Sequence, residues 1–364
     1  MAPSPPAPVI ETDALVIGAG PVGLFQVFQL GLQEVRAHVV DALPGPGGQC
    51  VELYADKPIY DIPALAVCTG RELIDKLMAQ IAPFGARFHW NQVVTHLQKQ
   101  LDGRFLVETS QSQRFLSKTV FIAAGVGAFQ PRTLHIDGLA AFAGTQLLHS
   151  VPDASVCANR NVVIFGDGDA ALEWALKLCT AHPDGHPHKA KRVTVVHRRE
   201  VFSAAPDTVE CFRALVQLGH LHFVAGQEQG LETVQNRLTG IQILDPEGQP
   251  RTLPLEMLLV LRGLSPKLGP VSQWGLDMER KQLQVDTEKF STSEPGIFAV
   301  GDINTYAGKK KLILCGFHEA TLAAFGAMQF IAPAKKVMLQ YTTTSPKLHK
   351  LLGVESRVLD DAND

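Results

Sequence analysis

The sequence predicts an α/β protein with two Rossmann-like (three-layer ββα) dinucleotide-binding domains, one inserted into the other. The first observation is that two segments, Thr12–Ala42 and Asn161–Arg199, share one design. Each reads as an apolar strand, a glycine-rich turn, an amphipathic helix and a second apolar strand, which is how a Rossmann unit opens. The second observation is that apolar strand-like runs return after the second segment, as in LEMLLVLRG and GIFAVGDI.

The length of 364 residues suits two domains better than one. Proline-bearing stretches near Phe129–Arg132 and Gly263–Pro266 are candidates for two crossings between domains, and two crossings imply nesting. We therefore predict a discontinuous first domain at residues 10–129 and 260–335, and an inserted domain at residues 130–259. Residues 336–364 leave the core pattern, and we expect them to form a C-terminal extension.

Composition and charge exclude several classes of function. Hydrophobic residues make up 46% of the chain, charged residues make up 19%, and the formal net charge is −3. No global charge therefore points to nucleic acid or to an anionic membrane surface. No apolar run reaches the roughly 20 residues that span a bilayer, and the first residues, MAPSPPAPVI, lack the features of a secretion signal. We expect a cytoplasmic protein that binds neither nucleic acid nor membrane.

The cysteines and histidines show no metal-ligand spacing, so no metal is expected. The thirteen histidines form no H-E-x-x-H pattern, and the six cysteines include no C-x-x-C pair. The cysteines are Cys50, Cys68, Cys157, Cys179, Cys211 and Cys315. In a reducing compartment we expect them to be free and mostly buried thiols.

The first glycine-rich turn, GAGPVG, has the context of a nucleotide site. It contains Gly18, Gly20, Pro21 and Gly23. These positions suit a tight turn, the close approach of a pyrophosphate and tight helix–strand packing, and the helix N-terminus then offers free N–H groups to phosphate. Asp41 stands at the end of the next strand, where a carboxylate can accept hydrogen bonds from a ribose 2′-hydroxyl.

The second turn, GDGDAA, leads to a strand that ends differently from its counterpart in the first unit. The turn contains Gly166, Gly168, Asp169 and Ala170. The strand after it ends in VVH, and Arg198 and Arg199 come at once where the first unit has Asp41. Paired guanidinium groups can bind a 2′-phosphate, which a carboxylate would repel. The second site is therefore expected to take NADP(H), although a solvated basic pair is the plain alternative.

Three further residues are candidates for contacts with a flavin ring or its chain. Gln49 lies in a glycine-rich loop after Asp41 and has donor and acceptor groups that could reach an isoalloxazine ring. Tyr54 could stack on that ring, or could be an ordinary half-buried tyrosine. Asp302 comes after an apolar strand in GIFAVGD and could bond the ribityl or phosphate region.

Two lysine runs could serve a protein partner. Lys309–Lys311 come shortly after Asp302, and Lys335 and Lys336 come later. We expect either a solvated surface or a dock for an acidic partner near the flavin.

With these residues in view, the chain resembles the thioredoxin-reductase-like ferredoxin–NADP reductases, a bacterial FAD-dependent family. The resemblance covers roughly residues 10 to 345 and rests on GAGPVG, GPGGQC followed by Tyr54, IYDIPAL, GDGDAALEWAL, HRREVF and FAVGDINTYAGKKKLILCGFHEA. Thioredoxin reductases carry a redox C-x-x-C in the nicotinamide domain, whereas this region holds Cys157, Cys179 and Cys211, all far apart in sequence. The dithiol relay is therefore missing.

The resemblance implies FAD in the first domain, NADPH in the second and a C-terminal extension over the flavin. The residues implied to line FAD are Asp41, Gln49, Tyr54, Val94, Phe129, Asp302 and either Thr343 or Thr344. Tyr54 and Tyr341 would lie against the ring, and no acid–base residue is expected because the cofactor carries the chemistry. Three features depart from the family: the GDGDAA turn, the segment EVFSAAP without a further arginine, and the insert at residues 181–190.

The implied activity is hydride transfer from NADPH to FAD N5, followed by single-electron transfers to ferredoxin or flavodoxin. Members commonly form homodimers. Two alternatives stay open: a reductase of another acceptor, such as a quinone or free flavin, and a non-catalytic FAD/NADP redox sensor.

Overall fold

A computed structural model describes residues 8–151, 153–179, 189–335 and 341–354, without the side chains of residues 128–130, 264, 266 and 267. The side chain of Phe129, Lys336 and most of the insert at residues 181–190 therefore lie outside the described residues. The chain divides into two compact units. Unit 1 takes in Met1–Phe129 and Pro266–Asp364, and unit 2 is Gln130–Ser265.

The structure contains short and long strands in both units. The strands are β1 (Val9–Ile17), β2 (Ala37–Val40), β3 (Pro58–Ile59), β4 (Cys68–Thr69), β5 (Arg87–His89), β6 (Val94–Lys99), β7 (Phe105–Thr109), β8 (Arg114–Ile122), β9 (Ala128–Pro131), β10 (Leu147–Leu148), β11 (Asn161–Phe165), β12 (Arg192–His197), β13 (His222–Ala225), β14 (Gln227–Val234), β15 (Arg237–Leu244), β16 (Pro250–Pro254), β17 (Met257–Val260), β18 (Leu264–Lys267), β19 (Met278–Glu279), β20 (Gln282–Gln284), β21 (Ile297–Ala299) and β22 (Asn304–Thr305).

The helices are α1 (Pro21–Leu32), α2 (Gln49–Glu52), α3 (Gly70–Ile81), α4 (Asp169–Cys179), α5 (Pro206–Gln217), α6 (Ile313–Ile331) and α7 (Pro346–Leu352). Short 3-10 segments are Ala82–Phe84, Leu139–Phe142, Ala154–Cys157, Gly269–Gln273 and Gly301–Ile303. Among the described residues, no helix has the length and apolar character to cross a bilayer.

Unit 1 is built on a seven-stranded sheet, in which six strands follow the order β5-β2-β1-β8-β7-β6 and the seventh, β21, pairs with β8. β1 pairs in parallel with β2 and β8, β2 with β5, and β21 with the second half of β8. β7 pairs antiparallel with the first half of β8 and with β6. The carboxyl ends of β1, β2, β8 and β21 therefore meet at one edge, where open α/β sheets bind their ligands.

One face of this sheet is covered by α1, α3 and α6, which share a buried core with it. The approach of α6 to α1 depends on small residues, because a Cβ on Gly316 would lie 2.3 Å from a methyl of Val22. The buried face of α6 continues with Ala320, Ala323 and Ala327. These side chains let the helices pack closely behind the ligand edge.

Unit 2 has three layers. Its sheet has the order β10-β17-β11-β12-β13 and all its pairs are parallel. α4 and α5 pack on one face, and the antiparallel sheet β14-β15-β16 supplies apolar residues to the core on the other. Strands covered on both faces read as continuous apolar runs, which explains NVVIF in β11 and MLLV in β17. The predicted α/β fold class is confirmed.

Candidate functional site

The first glycine-rich turn joins β1 to α1 at the ligand edge of unit 1. Gly18 has a φ of +108°, and a Cβ there would lie 2.4 Å from the carbonyl oxygen of Ala123, just beyond β8. A Cβ on Gly23 would lie 1.9 Å from the carbonyl oxygen of Gly18. Both glycines are therefore required by the protein's own packing.

Gly20 is different, because the protein gives no reason for glycine there. Its φ is −70°, which any residue adopts, and the nearest atom to an added Cβ is the Gly47 carbonyl oxygen at 4.0 Å. Gly20 is the N-cap of α1 and supplies no side-chain cap, and Pro21 takes the first helical position. The open space beside uncapped N–H groups suits a phosphate, which the helix dipole would also attract. The residues present therefore fit a dinucleotide.

Asp41 closes the same turn from the end of β2. Its Oδ2 accepts a hydrogen bond of 2.6 Å from the N–H of Ala19, and its Oδ1 accepts one of 2.8 Å from Leu43. Burial raises the pKa of this carboxyl above its usual value, and the backbone donors only partly offset that effect. Each oxygen keeps a second acceptor position that a ribose hydroxyl can use.

The loop before α2 lies against this turn. The N–H of Gly47 donates to the carbonyl oxygen of Ala19 at 2.9 Å, and a Cβ on Gly48 would stand 3.3 Å from the Cα of Gly20. Gln49 begins α2, and its Nε2 would lie 3.1 Å from a Cβ on Gly125, in the turn after β8. Gln49 is thus brought to the same edge as the glycine-rich turn.

Tyr54 is half-buried, and its hydroxyl lies 3.4 Å from Sγ of Cys50. Burial, followed by the hydrogen bond to Cys50, raises the pKa of Tyr54 well above its usual range. The charge of Asp302 adds to that shift, so Asp302 lies within electrostatic range of the ring. The structure thus groups Tyr54, Asp302 and the Gln49 loop on one side of unit 1.

Val94, predicted to line FAD, begins β6 and is 4% exposed within the core on the other face of the sheet. The backbone of Phe129 lies in β9, at the end of unit 1. Neither residue contributes a polar group to the edge described above.

The tail residues lie apart from this grouping. Tyr341 is 67% exposed, and Thr343 and Thr344 lie in an exposed turn before α7. α7 is attached near the end of α1 that is remote from Gly20, because Lys347 forms an ion pair of 2.6 Å with Glu34. The described residues therefore do not bring Tyr341 beside the glycine-rich turn of the same chain.

The second turn, in unit 2, lies between β11 and α4. A Cβ on Gly166 would lie 2.5 Å from the carbonyl oxygen of Leu261, so close packing demands glycine there. At Gly168 an added Cβ would make only an ordinary contact of 3.6 Å with Oγ of Ser203. Ala170 is exposed in the first turn of α4.

The two aspartates of this turn bind the segment after HRREVF. Asp167 Oδ2 accepts a hydrogen bond of 3.1 Å from the Ser203 hydroxyl, and Asp169 Oδ1 accepts one of 2.7 Å from the N–H of Ala205. Two sequence departures from the family, GDGDAA and EVFSAAP, are therefore two halves of one hydrogen-bonded structure.

Arg198 and Arg199 come directly after β12 and are exposed. Nδ1 of His197 lies 2.9 Å from the carbonyl oxygen of Arg199, which fixes the course of the backbone after the strand. Among the described residues, neither arginine forms an ion pair, so both charges are available to an anionic ligand.

The docking hypothesis for Lys309 is wrong. Its Nζ lies 2.5 Å from Oε1 of Glu319, and the side chain is 7% exposed. It therefore offers no charge to a partner, whereas Lys310 and Lys311 are exposed. Lys335 is exposed and pairs with Glu34 at 2.9 Å.

Sequence reasoning missed Glu319 itself. It is fully buried and joins the turn that carries Asp302 to α6. The available signal was a single acid in an otherwise small and apolar helix, GFHEATLAAFGA. A carboxylate at such a position needs a partner, because an isolated charge is costly to bury.

Comparison with known proteins agrees with this architecture. Residues 12–324 match the family model described as pyridine nucleotide-disulphide oxidoreductase. A ferredoxin–NADP reductase of Albidiferax ferrireducens is 64% identical over 96% of this chain and 98% of its own length, and one of a Polaromonas species is 60% identical over 96% and 95%.

Among solved structures, the thioredoxin reductase of Lactococcus lactis aligns with a TM-score of 0.55 at 22% identity, covering 88% of this chain and 99% of that one. The bacillithiol disulfide reductase of Staphylococcus aureus aligns with a TM-score of 0.58 at 15% identity, covering 90% and 100%. These two similarities concern the fold. The chain therefore belongs to the pyridine nucleotide-disulphide oxidoreductase family, where it groups with the ferredoxin–NADP reductases that have the thioredoxin reductase fold.

Proposed function

We propose that this chain is a ferredoxin–NADP reductase that binds FAD in unit 1 and NADP(H) in unit 2. The observation that carries the proposal is similarity over nearly the whole chain to ferredoxin–NADP reductases, in a unit 2 without a usable dithiol. FAD, when bound, accepts a hydride from NADPH and passes electrons on singly. The chain's own residues bind and orient the two nucleotides.

The thiols of unit 2 argue against a disulfide substrate. Cys157 is fully buried at the end of a 3-10 segment, and Cys179 is 5% exposed at the end of α4. Burial raises the pKa of Cys157 to about 11 and also raises that of Cys179. Because the thiolate is the reactive species, neither residue is a suitable relay thiol near neutral pH. The third thiol of unit 2, Cys211, is free and exposed on α5, and a dithiol relay needs two accessible thiols.

In unit 1 the proposed FAD-binding residues fall into groups that would contact different parts of the cofactor. The N-terminus of α1, with Gly20 left open, would take the pyrophosphate, and Asp41 would accept from the ribose. Gln49, Tyr54 and Asp302 would meet the flavin end, since the structure groups them on one side. Val94, Phe129 and either Thr343 or Thr344 remain proposed neighbours, and Tyr341 a proposed cover for the ring.

In unit 2 the proposed NADP(H) residues are Gly166, Gly168, Asp169, Ala170, Arg198 and Arg199. The exposed guanidinium pair would bind the 2′-phosphate through charge-assisted hydrogen bonds. Asp169 would act through the Ala205 bond, by fixing the shape of the turn, since its own charge would repel a pyrophosphate.

The acceptor is ferredoxin or flavodoxin, with Lys310 and Lys311 as exposed candidates for an acidic surface. We place the protein in the cytoplasm as a homodimer. Six unpaired cysteines suit a reducing compartment, and the family resemblance favours the dimer, which light scattering would test.

The test is NADPH-dependent reduction of cytochrome c by the purified flavoprotein, with and without ferredoxin. A ferredoxin reductase should reduce cytochrome c much faster when ferredoxin is present. Equal rates with and without ferredoxin, together with rapid quinone or free-flavin reduction, would favour the alternative acceptor. A single bleaching of the flavin without turnover would favour a redox sensor.

A further inference from the structure

We propose that the buried Lys309–Glu319 ion pair forms a clamp on the backbone N–H and C=O of Gly301 and thereby positions the neighbouring Asp302 against FAD. This inference rests on the proposed FAD site in unit 1. Lys309 and Glu319 are positioning residues, because they are argued to act through Gly301 and Asp302.

Glu319 reaches from α6 toward the turn after β21. Its Oε2 accepts from the N–H of Gly301 at 2.7 Å and from Nδ2 of Asn304 at 2.9 Å. Its Oε1 accepts from the Tyr306 hydroxyl at 3.0 Å and from Nζ of Lys309 at 2.5 Å. Four donors thus satisfy a carboxylate that has no exposed surface, which is the condition for burying a charge.

Lys309 completes the clamp from the other side. Its Nζ donates to the carbonyl oxygen of Gly301 at 2.9 Å and lies 5.4 Å from the centre of the Tyr306 ring. The carboxylate therefore holds the N–H of Gly301 and the ammonium holds its C=O. Both polar groups of one residue are bound by one ion pair.

The backbone conformation of Gly301 decides where the next residue, Asp302, points. The φ of Gly301, +80°, is open to glycine and rarely to other residues, and an added Cβ would lie 3.4 Å from the Val22 side chain, at the start of α1. The residue after it is Asp302, whose charge acts on Tyr54. Rotation of the backbone at Gly301 would therefore change the direction of Asp302 and its distance from Tyr54.

The two charges of the pair also cancel one another beside Asp302. An unpaired ammonium behind Asp302 would favour the more negatively charged reduced flavin, and an unpaired carboxylate would disfavour it. Loss of either partner should therefore shift the flavin potential in opposite directions. A purely structural pair would not produce that sign pattern.

The experiment compares the holoenzyme with Glu319→Gln, Lys309→Met, Lys309→Arg and the double variant Lys309→Met/Glu319→Gln. FAD release on dilution, followed by flavin fluorescence, gives the Kd, and dye-linked redox titration gives the midpoint potential. The matched controls are Lys99→Met and Glu294→Gln, which break an exposed pair of 2.7 Å in the same unit. NADPH binding to unit 2 is measured in parallel.

Glu319→Gln should raise the Kd for FAD at least tenfold and make the flavin midpoint potential more positive. Lys309→Met should raise the Kd for FAD by a similar factor and make the midpoint potential more negative. A tenfold change in the preference for reduced over oxidised FAD corresponds to about 30 mV for a two-electron couple. Lys309→Arg should keep the wild-type potential. The controls should change the Kd less than twofold, and NADPH binding should change less than threefold throughout.

Each single substitution leaves one buried charge unpaired and could prevent folding. The double variant tests the proposal without that cost. It buries no charge, so it should fold and return the potential to near the wild-type value, while its Kd for FAD stays raised because nothing holds the Gly301 C=O. Variants that lower only the melting temperature, with the FAD Kd and potential unchanged, would overturn the proposal. So would a double variant with the wild-type Kd.

Ferredoxin does not enter this experiment. A protein that binds FAD but does not reduce ferredoxin would contradict the proposed acceptor. The Kd and potential measurements on the variants would still test the clamp. A chain that binds no FAD would contradict both.

Discussion

Nδ1 of His38 lies 2.9 Å from Nε2 of His89, and the two rings stack with their planes 12° apart. His38 is on β2, three residues before Asp41, and is 6% exposed. Nδ1 of His89 lies 3.1 Å from Oε1 of Gln113, and the carbonyl oxygen of His89 accepts from the N–H of Asp41 at 3.0 Å. A pair made of the buried His38 and the half-buried His89 therefore adjoins the proposed ribose contact.

We expect this pair to make unit 1 sensitive to acid. Burial, followed by the charges of His89 and Arg87, lowers the pKa of His38 from 6.5 to about 4. A depressed histidine pKa means that the unfolded chain binds the proton first, so stability is full above pH 6.5 and is lost as pH falls toward 4. The loss should be on the order of 3 kcal/mol.

Thermal unfolding between pH 4.5 and 7 would check this expectation. His38→Gln should flatten the pH dependence, whereas His96→Gln, at an exposed position in the same sheet, should not. If the melting temperature of His38→Gln depended on pH as steeply as that of the wild type, the histidine pair would not be the cause of the acid sensitivity.

Gly20→Ala should separate FAD binding from folding. The alanine methyl meets open space, so the melting temperature of the FAD-free protein should change little. The methyl would occupy the space proposed for the pyrophosphate, so FAD affinity should fall by tenfold or more. Gly23→Ala is the contrasting variant, because its methyl would collide with the Gly18 carbonyl and destabilise the unit itself. A Gly20→Ala protein with unchanged FAD affinity would contradict the assignment.

Arg198→Ala/Arg199→Ala should raise KM for NADPH far more than KM for NADH. Charge-assisted hydrogen bonds worth roughly 1.5–3 kcal/mol each predict a difference of one to two orders of magnitude or more. Arg192→Ala is the matched control, since Arg192 is exposed at the opposite end of β12. Equal effects on both nucleotides would show that the arginines do not read the 2′-phosphate.

Cys157→Ala and Cys179→Ala should leave turnover from NADPH to ferredoxin within a few-fold of wild type. Both thiols are buried and protonated near neutral pH, and their loss removes packing atoms without removing a reactive group. Ferredoxin-dependent cytochrome c reduction measures this directly. An essential cysteine in unit 2 would reopen the case for a dithiol relay.

Tyr341→Ala should change the flavin spectrum and the rate of flavin reduction by NADPH, if the tail covers the ring as proposed. The side chain is 67% exposed, so its removal should alter stability by no more than about 0.5 kcal/mol. Tyr60→Ala, at a position 71% exposed, is the control. An unchanged spectrum and rate would show that Tyr341 is an ordinary surface residue.

Local patterns predicted the parts of the site that are continuous in sequence. GAGPVG and Asp41 could be placed because strand, turn and helix succeed one another within about thirty residues, as the unit requires. The predicted boundary at residue 260 falls inside the parallel strand β17, whose pairing with β11 no local pattern reveals.

Contacts between distant residues could not be predicted from the sequence. Lys309 looked like the first of three surface lysines, and only the position of Glu319 ten residues later, on a different element, shows that it is buried. The Asp169–Ala205 hydrogen bond is hidden in the same way, because it joins the first residue of α4 to the segment after β12, 36 residues later. Periodicity reports which face of an element is buried, not which partner meets it.

The carboxylate of Glu34 forms ion pairs on both sides of Tyr341 and so limits how far this tyrosine can move. Lys335 and Lys347 both pair with it, and Tyr341 stands six residues from each of them. A chain of six residues extends at most about 20 Å, which is close to the roughly 18 Å length of the twelve-residue α1. While both ion pairs hold, the Cα of Tyr341 therefore stays within about 20 Å of the Cα atoms of Lys335 and Lys347. Salt weakens exposed ion pairs such as these. The distance over which Tyr341 can move should therefore increase with ionic strength.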